Sequence, residues 1–321
     1  MHPETKIAMR FVERNAIEPP VDIRHIVAQH AIIEETALPV TADAITLHLK
    51  DPTQKPRIII NRFSDESRKK FTLAHELGHI LIPWHVGTVV SHTNSFQYFV
   101  DEIYSALETE ANRFAREVLL PSKWVQTQLL TFGGDPARTV IALAKKAEVS
   151  MLMTSITVLD YLPAGYIFAA IDETGVVQQS GKSPGTAATA PNKHQKIKSI
   201  DSYFPMASYI REVQAGNNHL VWWSFTGLPD EIKQEMPEWR NVLQDIFSDL
   251  QYSKEDQKTY IQKLSGIIGA ANSKYKQATA EELCSIVCQR VSSKEELHEI
   301  ANHEKCIQFI TCRIRQLKDK V

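Results

Sequence analysis

The sequence predicts an α+β protein in three parts: a small sheet over a pair of helices, a small α+β module, and a helical C-terminal region. Three observations carry this. Near residue 64 the hydrophobic period changes from strand-like alternation to helical spacing. Over 166–225, short apolar runs alternate with turn-forming residues. From 238 onward the chain is a series of amphipathic runs at helical spacing. The boundaries drawn from these shifts are 1–165, 166–227 and 228–321.

In the first part, Pro19-Pro20 breaks the chain and Asp22 is placed to cap a short helix carrying Ile23, Ile26, Val27 and His30. Residues 45–49 alternate as a half-buried strand does, and after the Asp51-Pro52 turn residues 57–61 read as a second strand. Ser64-Asp65-Glu66 then offers a capping hydroxyl and two acids at a helix start. The helical pattern runs from Arg68, with Phe71, Ala74, Gly78 and Leu81 on one stripe, to Pro83. A loop of about 20 residues is expected next, longer than most connections. A second helix covers roughly 101–120, burying Ile103, Leu107, Ala111, Phe114 and Val118, and stops at Pro121. Helical runs over 138–147 and on to about 161 close the part.

In the second part, 166–171 and Val176-Val177 form a hairpin, 180–192 is a mobile loop rich in small residues, and 219–225 is a strand. The third part contains amphipathic runs at 238–250, 255–270, 279–291 and 293–316.

Composition narrows the class. Hydrophobic residues at 43% and charged residues at 23% match a globular protein that builds its own core. A net charge of -2 gives no global attraction to nucleic acid, so direct nucleic-acid binding is not expected. No secretory leader or spanning apolar run is read, and no membrane association is expected. The cysteines, Cys284, Cys288, Cys306 and Cys312, all fall late, which disfavours a disulfide-stapled scaffold. The expected compartment is the cytoplasm.

The chemistry concentrates at His75-Glu76-Leu77-Gly78-His79. Histidines four apart on a helix lie one turn apart on one face, so both imidazoles can reach one tetrahedral Zn²⁺ at about 2.0–2.1 Å. Glu76 between them can take a proton from a water that zinc has acidified to a pKa of about 7. A catalytic zinc needs a third protein ligand. Glu108 on the next helix is preferred, because Asn112 one turn on could hydrogen-bond it; its rival Glu110 has Arg113 within ion-pair reach. Zinc is favoured over manganese because His and carboxylate ligands at this spacing suit a tetrahedral ion.

Phe71-Thr72-Leu73-Ala74-His75-Glu76-Leu77-Gly78-His79, followed by Glu108-Thr109-Glu110-Ala111-Asn112-Arg113-Phe114-Ala115 and Leu119-Leu120-Pro121, resembles the ImmA/IrrE family of bacterial metallopeptidases. Pro19-Pro20-Val21-Asp22 and Ile59-Ile60-Asn61 add to the resemblance, which covers roughly 5–165. It implies a zincin-like domain in which His75, His79 and Glu108 bind zinc and Glu76 is the base. It also implies a protein substrate, a helix-turn-helix transcriptional repressor, cut in a stress-response, mobile-element or defence setting. An extended substrate is expected to add a strand beside Ile58, Ile59, Ile60 and Asn61. Tyr98, Tyr104, His85 and His92 are the candidates for stabilising the oxyanion. Residues 166–321 match no nameable module, and 166–227 is read as a sensor or docking segment. The alternative is a zinc-fold regulatory or toxin-like protein that acts by binding through its C-terminal half; the intact Glu76 weighs against it.

Other features take plainer readings. The four cysteines lack the usual knuckle spacing of a zinc site and read as buried thiols. Lys193-His194-Gln195-Lys196-Ile197-Lys198 reads as a solvated segment, and Trp222-Trp223 as half core and half interface. Residues 143–150 look like the first half of a helix-turn-helix, but the apolar Met151-Leu152-Met153 that follows suits packing rather than base readout.

Overall fold

The structure, a computed structural model, describes residues 2–38, 42–91, 102–131, 133, 135–204, 207–216, 218–225 and 237–318. The chain divides into two compact units, Met1–Val158 and Leu159–Val321.

The first unit opens with helix α1 (Pro3–Arg14), then α2 (Ile23–His30), whose N-cap Asp22 accepts from the His25 N–H at 3.0 Å. Strands β1 (Ile32–Thr36), β2 (Ala44–Leu49) and β3 (Arg57–Asn61) follow, then α3 (Glu66–Leu81) and β4 (Gly87–Ser91). Helices α4 (Glu102–Leu119), α5 (Ser122–Leu129), α6 (Pro136–Ala147) and α7 (Met151–Leu159) complete this stretch. The strands order as β1-β3-β2-β4, with β1 parallel to β3 and the other pairs antiparallel.

That order corrects one expectation. Ile58, Ile59, Ile60 and Asn61 lie on β3, which is paired on both sides, to β1 and to β2. Its backbone donors and acceptors are already used, so no substrate strand can add there. Ile58 and Ile60 are core residues, 0% and 1% exposed, and the Asn61 side chain is tied to the Ala42 carbonyl at 3.2 Å. The sheet edges are β1 and β4, neither of them anticipated.

Helix α3 begins two residues earlier than its apolar stripe. Its cap is the Asp65 carboxylate, which accepts from the Arg68 N–H at 2.8 Å, and not the Ser64 hydroxyl. The helix packs against β2, β3 and α4. Its contact with α4 depends on Gly78. A Cβ there would lie 3.2 Å from Phe114 Cβ and Cδ1 and 3.3 Å from Ala111 Cα. The missing side chain lets two helices that both carry chemistry approach closely. Helix α1 braces α4 from elsewhere: Phe11 meets Phe114 with ring centroids 6.2 Å apart, and the buried Glu4 carboxylate accepts from Arg113 at 2.9 Å.

The second unit holds an antiparallel sheet of β5 (Tyr166–Asp172), β6 (Val177–Lys182), β7 (Tyr209–Ala215) and β8 (Asn218–Ser224), ordered β6-β5-β8-β7, with the short helix α8 (Ile200–Tyr203) between β6 and β7. Trp222 and Trp223 are both fully buried, pointing to opposite faces as neighbours on a strand do. Trp222 packs on Phe168 at 5.3 Å and Trp223 on Phe204 at 5.3 Å, so both belong to cores. The small-residue stretch after β6 is anchored: Lys182 Nζ donates to the Ala188 carbonyl, Ala188 is buried, and the Ala187 N–H donates to Glu282 at 2.9 Å.

Helices α9 (Trp239–Asp249), α10 (Lys254–Lys274), α11 (Ala280–Ser292), α12 (His298–Ala301) and α13 (Cys306–Lys318) follow. Capping boxes Ser253/Asp256 and Thr279/Glu282 start α10 and α11. The run expected as one helix over 293–316 is broken by a 3₁₀ turn at Glu295–Leu297 and by the gap between α12 and α13. All four cysteines are free and buried in the core that these helices share. No described helix is long and apolar enough to cross a membrane.

Candidate metal centre

Helix α3 carries His75, Glu76 and His79 on buried turns, and α4 carries Glu108 opposite them. His75 Nε2 lies 3.1 Å from His79 Nε2. The two carboxylate oxygens of Glu108 reach one histidine each, Oε2 to His75 Nε2 and Oε1 to His79 Nε2, both at 3.3 Å. A tetrahedron of ligands about 2.0–2.1 Å from zinc has edges of roughly 3.3–3.4 Å, so these separations match the edges such an ion would impose. Among the described residues, these three form the group of His, Cys, Asp and Glu side chains that could hold a metal ion. The donor set of two imidazoles and a carboxylate, with the Glu108 Oε1 atom buried and lacking a hydrogen bond, suits a zinc-type cation.

The electrostatics agree. Burial pushes the Glu108 carboxyl up, but the close approach and charge of His75 and His79 outweigh it and hold the group down at about 2. Burial lowers the proton affinity of His75, yet the Glu108 hydrogen bond and the Glu76 and Glu108 charges leave it raised overall. Negative charge is thus stored where a cation would be held.

Each histidine is gripped from behind. His75 Nδ1 lies 2.9 Å from Asn112 Oδ1, which fixes the tautomer that leaves Nε2 as a lone pair. Asn112 was expected to hold Glu108; it holds His75 instead. His79 Nδ1 lies 2.8 Å from His85 Nδ1, and His85 Nε2 lies 2.9 Å from Glu110 Oε2, which also accepts from the Trp84 indole at 2.6 Å. Glu110 therefore faces Trp84 and His85, and its expected partner Arg113 bonds Glu4.

Glu76 is fully buried. Its Oε2 accepts the Thr46 hydroxyl at 2.6 Å, while Oε1 has no hydrogen-bond partner among the described residues. The residue just after β2 grips the helix again further along: Lys50 Nζ donates to the carbonyls of His79, at 3.3 Å, and Ile80. A register shift between Thr46 and Leu49 in the β2–β4 ladder precedes that lysine. A cleft beside the triad is lined by Asp43, Arg68, Phe71, Thr72, Ser91 and Asn112, with His75 and Glu108 at its wall. In it Arg68 Nε donates to Asp43 at 2.7 Å.

Residues 28–158 match the family profile of the IrrE N-terminal-like domain. The chain is also 29% identical over 112 residues to the radiation response metalloprotease IrrE of Deinococcus radiodurans. That alignment covers 35% of this chain and 33% of the relative, so the matched part spans about a third of that protein's length. Among solved structures, a Mycobacterium tuberculosis transcriptional regulator is similar at a TM-score of 0.42 and 13% identity, covering 70% of this chain and 87% of that one.

All of His75, Glu76, His79, Glu108 and Asn112 fall inside the IrrE-like stretch, as do Thr46, His85 and Glu110. His85 is fully buried with both ring nitrogens engaged by His79 and Glu110, and it does not line the cleft. Tyr98 and His92 lie outside the described residues, and Tyr104 is on α4 with its side chain outside them. Sequence reasoning missed Thr46, Trp84 and the place of Glu110. Thr46 had a readable sign, a hydroxyl on the same strand face as Ala44, where burial demands a partner.

Proposed function

We propose that the first unit is a zinc-dependent endopeptidase that cuts one specific protein partner, a helix-turn-helix transcriptional repressor, in a stress-response, mobile-element or defence setting. The observation that carries this is Glu76: a fully buried carboxylate with one oxygen fixed by Thr46 and the other unpartnered, set between the histidines of a His/His/Glu triad. Burying a carboxylate without full pairing costs free energy, and a pure binding protein has no use for it. The similarity to a metalloprotease adds support.

A bound zinc supplies a Lewis acid that polarises a carbonyl and acidifies water to a pKa of about 7. His75, His79 and Glu108 would hold it. Glu76 takes the proton of the attacking water and passes it to the leaving amine nitrogen, while Thr46 keeps the carboxylate from turning away. The substrate lies extended along β4, whose one ladder partner among the described residues is β2 and whose last residue, Ser91, reaches the cleft. The buried Ser91 hydroxyl lacks a partner among the described residues and is placed to meet substrate backbone.

The test pairs metal analysis with cleavage of the repressor encoded beside the gene, for wild type, Glu76→Gln and Glu108→Ala. The reading expects about one zinc per chain in wild type and in Glu76→Gln, cleavage by wild type alone, and metal loss in Glu108→Ala. Wild type that holds zinc but leaves the repressor intact would give the lead to the binding-protein reading. Wild type without metal would end both.

A further inference from the structure

The two histidines of the triad are supported unequally. Behind His75 stands a neutral amide, Asn112. Behind His79 stands a chain of two more side chains that ends on a carboxylate, His85 and then Glu110. From this geometry we infer that His85 and Glu110 are positioning residues for the metal, a hydrogen-bonded line running Glu110–His85–His79 that sets the tautomer and the basicity of the second histidine ligand. The inference rests on the metal-binding reading and extends it to residues that touch neither metal nor substrate.

Proton bookkeeping allows one arrangement. To offer its Nε2 lone pair, His79 must carry its hydrogen on Nδ1. That hydrogen points at His85 Nδ1, 2.8 Å away, so His85 Nδ1 must be a lone pair. A neutral His85 then has its hydrogen on Nε2 and donates it to Glu110 Oε2 at 2.9 Å. The Trp84 indole donates to the same oxygen and holds the carboxylate against rotation. A doubly protonated His85 would set two N–H groups head to head, so metal at His79 requires a neutral His85.

The elements explain why this line is rigid. The IrrE-like helix α3 ends at Leu81, and Ile82, fully buried, closes it by bonding the Gly78 carbonyl at 2.8 Å. The His85 N–H bonds the Ile82 carbonyl at 3.3 Å, so the turn folds His85 back under the helix end. Glu110 comes from α4, two residues beyond Glu108. One helix therefore delivers a carboxylate to the metal position and, from a side chain two residues on, another to the back of the same site, against His85. A carboxylate at the far end of such a line makes a ligating imidazole more electron-rich, and loss of such a partner typically weakens metal binding about 10–100-fold.

The test uses the full-length chain and zinc itself. Zinc affinity is measured by competition with a chromophoric chelator for wild type, His85→Phe, His85→Gln and Glu110→Gln. His85→Phe keeps a buried ring and removes the acceptor, so affinity should fall about 10–100-fold. His85→Gln restores a carbonyl oxygen to His79 and should recover part of the loss. Glu110→Gln leaves an acceptor oxygen but no charge and should show a smaller fall. The tautomer gives a readout that bulk packing does not: in zinc-loaded wild type the ring ¹⁵N spectrum should show a slowly exchanging Nδ1–H on His79, lost in His85→Phe. If circular dichroism finds His85→Phe unfolded, Glu110→Gln, of equal size, decides. Wild type that binds zinc, with both His85→Phe and Glu110→Gln binding it equally well, overturns the inference. Wild type that binds no zinc overturns the metal reading first and this one with it, so the two failures are told apart by the wild-type measurement alone.

Discussion

Replacing Gly78 by alanine sets two opposing effects against each other at the α3–α4 contact. Alanine in a helix interior is favoured over glycine by about 1 kcal/mol. The new methyl, however, would stand 3.2 Å from Phe114 Cβ and Cδ1 and 3.3 Å from Ala111 Cα, closer than side chains ordinarily come. Neither neighbour is a free end. Ala111 Cα is backbone, and Phe114 is fully buried against Phe11. The helices must therefore separate by a few tenths of an ångström, and overpacking of this kind costs about 1–3 kcal/mol. The net change is a destabilisation of about 0–2 kcal/mol, or a Tm fall of up to roughly 8 °C in a unit of this size. The metal site should suffer more. Glu108 is one turn from Ala111, and a zinc ligand tolerates about ±0.2 Å. Zinc affinity should fall at least about tenfold, which is 1.4 kcal/mol. Thermal melts with and without chelator, together with chelator competition, separate the two effects. If Gly78→Ala raises the Tm by the few degrees that helix propensity alone gives, and keeps wild-type zinc affinity, then the close helix approach does not set the position of Glu108.

Thr46→Val removes the hydroxyl on Glu76 while keeping the shape of the side chain; it should leave zinc bound and lower turnover about ten- to hundredfold, corresponding to roughly 1–3 kcal/mol at the carboxylate, as read from kcat with metal content checked in parallel. Asp172 is held by the Thr174 hydroxyl, the Val176 N–H and further donors at the β5–β6 turn, which bring its carboxyl down from 3.8 to about 2. Because the folded value is depressed, its contribution to stability is complete above pH 3.8 and is lost as pH falls through about 2; a carboxyl ¹³C titration finding a midpoint near 3.8 would refute this. Burial pushes the Cys284 thiol up to about 12 and Cys306 to about 11, and raises Cys288 and Cys312 as well. Iodoacetamide should label none of the four at pH 7.5 until the chain is denatured, and prompt labelling of the native protein would contradict their burial.

The parts of the fold that sequence made legible are those with strong local period. The α3 pattern, with its four-residue histidine spacing and terminal Pro83, needs no tertiary information to read. Strand order is different, because it is decided by distant pairing. Nothing within 57–61 says that β1 will pair to it in parallel and close its second edge. The β1 residues Ile32–Thr36 are mostly exposed, so burial imposes no alternation on them, and β4 carries too few residues for a period to emerge. At the site, spacing could compare Glu108 with Glu110 only through helix neighbours. The partners the structure gives Glu110, Trp84 and His85, arrive from the turn after α3, a segment whose path depends on Ile82 being buried.

Strand β2 and the turn that leaves it touch the metal helix at both ends of the site: Thr46 holds Glu76, and Lys50, the residue after the strand, holds the carbonyl of His79 itself. Metal position and sheet are thereby splinted together. Fraying of the last turns of α3 would strip Lys50, whose ammonium is already disfavoured by desolvation, of its two carbonyl acceptors. The amides from His75 to Leu81 and those of β2 should therefore exchange hydrogen as one cooperative unit, at a single opening free energy, instead of grading from a loose helix end to a firm strand. Local breathing, the usual way a small site sheds its ion, is closed off on this side, and release must proceed from the face that the sheet does not guard.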